Sequence, residues 1–176
     1  MAAPAALQEG RVGPAGHAVA ILVVLCLALL CAQLSFRVRN DTVEFDFRSD
    51  LDILAGKARY PEFQNRLIPS GSLWLLRKAV PATVPDRSVW YAVRMLQAAA
   101  GFLLLYAAAF SLTGGRLRAL SAVALLAYAY AWTPMSHPWE YTSDFLDIGF
   151  TAVMAVLAIR RRAVALAAVA AVAALN

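Results

Sequence analysis

The chain has 176 residues, of which 61% are hydrophobic and 15% charged, with a mean hydropathy of +0.63 and a net charge of +5. A soluble domain of this length is about 45–50% apolar and about 25% charged. The composition therefore excludes disorder, a collagen-like fibre and a disulfide scaffold, and it describes a cytosolic globule poorly. The apolar residues are gathered into long runs, which makes a bilayer the expected solvent. Most basic residues stand between or beside those runs, so the membrane surface accounts for them better than nucleic acid does. Fourteen of the sixteen are Arg, as in a protein from a GC-rich genome.

Residues 1–17 form a short N-terminus containing Arg11. Residues 18–36 carry no charge and are long enough to span. A cleaved signal peptide has an apolar core of only about 7–15 residues, so a retained anchor is predicted. Cys26 and Cys31 both fall in this run and read as small buried hydrophobes.

The long loop 37–89 holds most of the polar chemistry. Residues 42–48 alternate, with Val43, Phe45 and Phe47 on one side and Glu44, Asp46 and Arg48 on the other. Period-two alternation predicts an extended segment. Ser49 then reads as the N-cap of a short helix, with Asp52 as its capping-box partner and Gly56 near the stop. Capping gives Asp50 and Asp52 a local role. Glu44 and Asp46 have none, which makes them functional candidates against the plain alternative of a solvated face. Arg59 and Arg66 flank a segment punctuated by Pro61 and Pro69, where they could pair with headgroups or carboxylates, or hold a lipid-linked phosphate. Residues 70–80 read as a second short helix lying in the interface. Leu73, Trp74, Leu76 and Val80 form its apolar stripe, and Arg77 and Lys78 sit where they could meet headgroups.

Residues 90–176 are predicted to form the rest of the transmembrane bundle. Span two covers 90–113, with Arg94 and Gln97 near its start. Span three covers 119–132, span four 145–159, and a last apolar run 163–175. That last run makes a helix of only about 20 Å against a hydrocarbon core of about 30 Å, so the chain reads as a piece that stops partway through a span. In the segment 136–144, Trp139 and Tyr141 suit an aromatic belt, and His137 stands alone. Asp144 can cap span four. Asp147 would lie slightly inside the apolar region, where an ionisable group is a functional candidate by default. The expected fold is thus all-α, a polytopic bundle of about 4–5 spans with short interfacial helices on its first loop.

Arg116 and Arg118 lie between spans two and three, and Arg160, Arg161 and Arg162 follow span four. The positive-inside rule places these turns and the N-terminus in the cytoplasm, and 37–89 and 136–144 outside. The nine basic residues of 37–89 count against this orientation, but long loops are weak topology signals. Ten of the eleven acidic residues then fall on the extracytoplasmic side.

This layout resembles the start of the GT-C superfamily of polytopic glycosyltransferases. More narrowly, Phe63-Gln64-Asn65-Arg66-Leu67-Ile68-Pro69 resembles an aromatic-Gln-x-Arg-x-x-Pro motif of a largely uncharacterised group of bacterial membrane proteins. In that group a Ser-Asp or Tyr-Asp pair opens a later span, as Ser143-Asp144 does here. The resemblance implies a multi-pass protein of the bacterial inner membrane that takes a sugar from a polyprenyl-phosphate carrier outside the cytoplasm. It assigns the carboxylate role of the first outer loop to Asp46 or Asp50. Arg59 and Arg66, together with Glu44, Glu140, Asp144 and Asp147, become candidates for substrate binding. No cofactor is implied; a divalent metal would suit the many outer carboxylates, but no ligand spacing supports one. The rival reading is a non-catalytic assembly subunit or transporter component. Of these two, the subunit fits better, because no charge lies mid-span where a transporter usually carries one.

Overall fold

The computed structural model describes residues 14–38, 43–57, 67–136 and 144–175. They form seven helices and no strand: α1 (Pro14–Val38), α2 (Val43–Leu54), α3 (Leu67–Ala79), α4 (Asp86–Thr113), α5 (Arg116–Ser136), α6 (Asp144–Ile159) and α7 (Ala163–Ala173). The all-α expectation holds for these residues. Two of the helices are long and apolar enough to cross a membrane, α1 over Ala15–Arg37 and α4 over Asp86–Thr113. The others predicted as spans fall short of that test. At 16 and 11 residues, α6 and α7 are only about 24 and 16 Å long. In α5 the tyrosines at 128 and 130 and the Trp132-Thr133-Pro134 end dilute its apolar content.

The bundle is built around α4, which packs against α1, α5 and α6. His17 meets Phe110 edge-on at 5.4 Å, while Phe36 meets Trp90 and Tyr91 at 5.7 and 4.4 Å, so α1 and α4 run antiparallel. Phe145 of α6 closes the centre, lying 4.9 Å from the Phe102 ring and 4.4 Å from that of Tyr130. The core is aromatic where helices meet and small where they touch most closely. At Gly101 a Cβ would stand 2.2 Å from the carbonyl oxygen of Phe145, and at Gly149 one would stand 2.9 Å from that of Gly101. Only residues without a side chain allow two helix backbones this near one another.

Two expectations for the loop are corrected. Residues 43–48 are not extended; they begin α2, and Ser49 lies inside that helix instead of capping it. The same apolar residues satisfy both periods, since Val43, Phe47, Leu51 and Leu54 recur at three- and four-residue steps. The helix buries Phe47 and Ile53 and packs Leu51 against the core, while Leu54 is left exposed. The predicted stop at Gly56 is in place. Gly56 has φ +68°, its N–H bonds to the Ile53 carbonyl and that of Lys57 to the Asp52 carbonyl, which is a Schellman closure. Cys31 is buried as expected, but Cys26 is exposed on the outside of α1.

The turn after α6 has the same closure without a glycine. Arg162 N–H reaches the Leu157 carbonyl and Arg161 N–H that of Ala158, while Arg161 holds φ +54°. A side chain in the left-handed region costs about 1–2 kcal/mol. Arg161→Gly is therefore expected to stabilise the fold by about 1 kcal/mol, read as a rise in thermal unfolding temperature in detergent, whereas Arg161→Ala should give little. The neighbouring Arg160 is engaged elsewhere: its Nη2 donates to the Ser111 carbonyl at 2.7 Å. That carbonyl belongs to the last turn of α4, where acceptors are left over and a positive charge is favourable.

Candidate functional site

The site grows from the polar residues of α4 near its Asp86 end. Helix α4 starts after Pro85, and Asp86 in its first turn pairs with Arg77 of α3 at 2.8 Å. Arg77, expected where it could meet headgroups, thus also has a partner within the protein. The pair fixes α3 alongside α4. Two turns further in, Arg94 and Gln97 point into the protein and are 3% and 5% exposed.

Arg94 Nη2 donates to Asp50 Oδ2 at 2.5 Å, an ion pair whose side chains are 4% and 14% exposed. Arg94 Nη1 donates to Gln97 Oε1 at 3.1 Å, and Gln97 Nε2 donates to Ser72 Oγ at 3.2 Å. Ser72 in turn donates to the Pro69 carbonyl at 2.8 Å. Every donor in this row points the same way, from the guanidinium towards a backbone oxygen, an arrangement in which neighbouring bonds polarise one another favourably. The Trp90 ring lies under the guanidinium at 5.1 Å and adds a cation–π contact. Three helices thus meet through one charged and one neutral link: α2 through Asp50, α3 through Ser72, and α4 through Arg94 and Gln97.

Beside this row, Ser70 Oγ and Trp90 Nε1 are buried and bond to nothing among the described residues. A buried polar atom left so costs about 1–3 kcal/mol. Such atoms are uncommon in folded proteins.

The predicted candidates are placed unevenly. Asp50 is at the centre of the network. Glu44 and Asp46 fall in the first turn of α2, Asp46 one turn ahead of Asp50, and their side chains lie outside the description. Arg59, Arg66 and Glu140 lie outside the described residues, as do His137, Trp139 and Tyr141. Asp144 and Asp147 occupy the first turn of α6, Asp144 partly buried and Asp147 exposed. Among the described residues no group of three or more His, Cys, Asp or Glu side chains is placed to hold a metal ion. Sequence reasoning noticed Arg94 and Gln97 but gave them no role, and it missed Ser72. The signal available was an arginine and a glutamine three residues apart inside an apolar run, which must find partners in the protein.

Comparison with protein-family models, characterised proteins and solved structures gives no match to this chain.

Proposed function

We propose that this chain forms the outer-loop and bundle part of an integral membrane glycosyltransferase of the GT-C kind, using a polyprenyl-phosphate-linked sugar on the extracytoplasmic face of a bacterial inner membrane. In this reading α1 and α4 cross the bilayer, and α5, α6 and α7 complete a multi-pass bundle with the Arg turns inside. The supporting observation is the anchoring of the acidic helix α2 to the end of α4 by the Asp50–Arg94 pair. That contact keeps a carboxylate-bearing helix at the membrane edge, where a lipid-linked donor would present its sugar. Asp50, engaged by Arg94, acts as the positioning group, and Asp46 is the general base that takes the acceptor hydroxyl proton as the anomeric carbon is displaced. Arg59 or Arg66 steadies the departing lipid phosphate.

General-base help is worth about 10²–10⁴-fold. Asp46→Asn in the full-length protein should therefore lower sugar transfer from a polyprenyl-phosphate donor in native membranes by at least about a hundredfold. Unchanged transfer in both Asp46→Asn and Asp50→Asn would remove this site assignment.

A non-catalytic assembly subunit is the second reading, favoured by α7. No residue of this apolar helix is buried, and Val164 is 86% exposed. A neighbouring subunit's helix could cover it. Added polyprenyl-phosphate sugar separates the two readings: binding to the native state must raise the unfolding temperature of the enzyme, and a subunit would show no shift.

A further inference from the structure

The seam between α1 and α5 takes no part in the network around Arg94. An apolar groove of about 500 Å³ runs along it, walled by Leu27 and Leu34 of α1 and by Ala124 and Ala127 of α5. From Leu27 to Arg37 the α1 wall rises about 15 Å. At the Arg37 end the lining changes character, because Gln33, Arg37 and Tyr128 take over. Gln33 and Arg37 are one turn apart and share a face of the helix. Both also line a second recess of about 530 Å³, which they share with Phe36 and Tyr91 at the α1–α4 side.

The two recesses share Gln33 and Arg37, which stand between the apolar trough along α1 and α5 and a chamber of mixed aromatic and polar lining beside Tyr91. Among the described residues neither is lined by an acidic one. Arg37 is exposed and forms no ion pair or hydrogen bond among the described residues. A second guanidinium stands behind the chamber, since Arg87 Nε donates to the Tyr91 hydroxyl at 2.9 Å. An apolar trough suits a hydrocarbon chain. Arginine with an amide one turn away supplies the fork and the extra donor that a phosphate diester prefers. A free anion would use the chamber and leave the trough empty, whereas an uncharged lipid would leave Arg37 without a counter-charge.

We propose that this seam is a binding site for one anionic phospholipid, its acyl chain lying between α1 and α5 and its phosphate held by Arg37 and Gln33. The proposal rests on α1 crossing a bilayer and is independent of sugar transfer. Resistance of the full chain to alkaline carbonate extraction tests that premise separately.

The lipid test is native mass spectrometry of the full chain released from vesicles of equal parts phosphatidylglycerol and phosphatidylcholine with identical chains. The expected result is retained phosphatidylglycerol in excess of phosphatidylcholine by about fivefold: both carry the phosphate diester, but only phosphatidylcholine adds a cation beside Arg37, and one arginine's preference for an anionic headgroup is of this scale. Arg37→Gln should bring the two lipids level. Arg118→Gln, a change of the same charge at the other end of α5, should leave the preference intact. Ala124→Phe, which fills the trough from an exposed position, should reduce retention of both lipids. Equal retention by the parent chain, or a preference that survives Arg37→Gln, would overturn the proposal. So would displacement of phosphatidylglycerol by polyprenyl phosphate at equal mole fraction, which would identify a different occupant.

Discussion

Replacing Gly101 by alanine is expected to destabilise the bundle by more than about 2 kcal/mol, although alanine is the better helix former by about 1 kcal/mol. The added methyl would stand 2.2 and 2.3 Å from the carbonyl oxygen and carbon of Phe145. Those atoms belong to a helix backbone, so relief requires α4 and α6 to separate and the Phe102–Phe145–Tyr130 aromatic cluster to open. Gly149→Ala should cost less, about 1–2 kcal/mol, because its methyl would lie 2.9 Å from the Gly101 oxygen and from Leu104 Cβ. Gly71 supplies the control. A Cβ there meets nothing within 4 Å, and Gly71→Ala should stabilise α3 by about 0.5–1 kcal/mol. Denaturant unfolding of the three variants in one detergent measures the series. Equal stabilities for Gly101→Ala and the parent would show that the two helices do not approach as described.

The second large effect is expected at the Asp50–Arg94 pair. Removing one partner of a buried ion pair typically costs about 3–5 kcal/mol, because the other charge is left in a poor solvent. Asp50→Ala removes the carboxylate that Arg94 faces, and Gln97 and the Trp90 ring are among the contacts that stay with the guanidinium. Asp50→Asn should cost less, since an amide oxygen still accepts from Arg94. The telling variant is the double replacement Asp50→Leu with Arg94→Met, which removes both charges and fills the space with apolar side chains. Buried pairs exchanged in this way are often neutral or stabilising, so the double variant should be more stable than either single one. Single effects that merely add in the double-mutant cycle would mean that the two residues do not interact. The cycle also bears on chemistry. If Asp50 is an anchor, the double variant should keep its fold while any activity that depends on the placement of α2 falls.

Much of this arrangement was legible in the sequence where a single periodicity dominated. Residues 18–36 and 90–113, free of competing signals, lie within α1 and α4. The start of α2 was misread because Val43, Phe45 and Phe47 alternate, while Val43, Phe47, Leu51 and Leu54 also fit a helix. Local pattern alone could not choose; in the fold Phe47 and Leu51, one helical turn apart, pack into the core. The site was legible in its parts but not in its connections. Asp50 was picked out as a carboxylate, and Arg94 as a charge near the start of an apolar run. Their union spans 44 residues, and no spacing rule reaches across that distance. Ser72 carried no signal at all, because a serine in a short helix is ordinary until its neighbour on another helix is known.

The order of these residues along the chain has a consequence for how the protein is made. An arginine entering a bilayer on an isolated helix is costly, by about 2.5–3.5 kcal/mol at the centre on insertion scales. Here Asp50 is translated 44 residues before Arg94, and Ser72 is translated 25 before Gln97. If α4 crosses the bilayer as proposed, both partners are already outside the ribosome when it emerges, and the helix can leave the translocon beside its counter-charge. Biogenesis of α4 is thereby coupled to the segment that precedes it. A rearranged gene that moved residues 43–80 behind α4 would encode the same contacts yet ask the membrane to accept Arg94 alone.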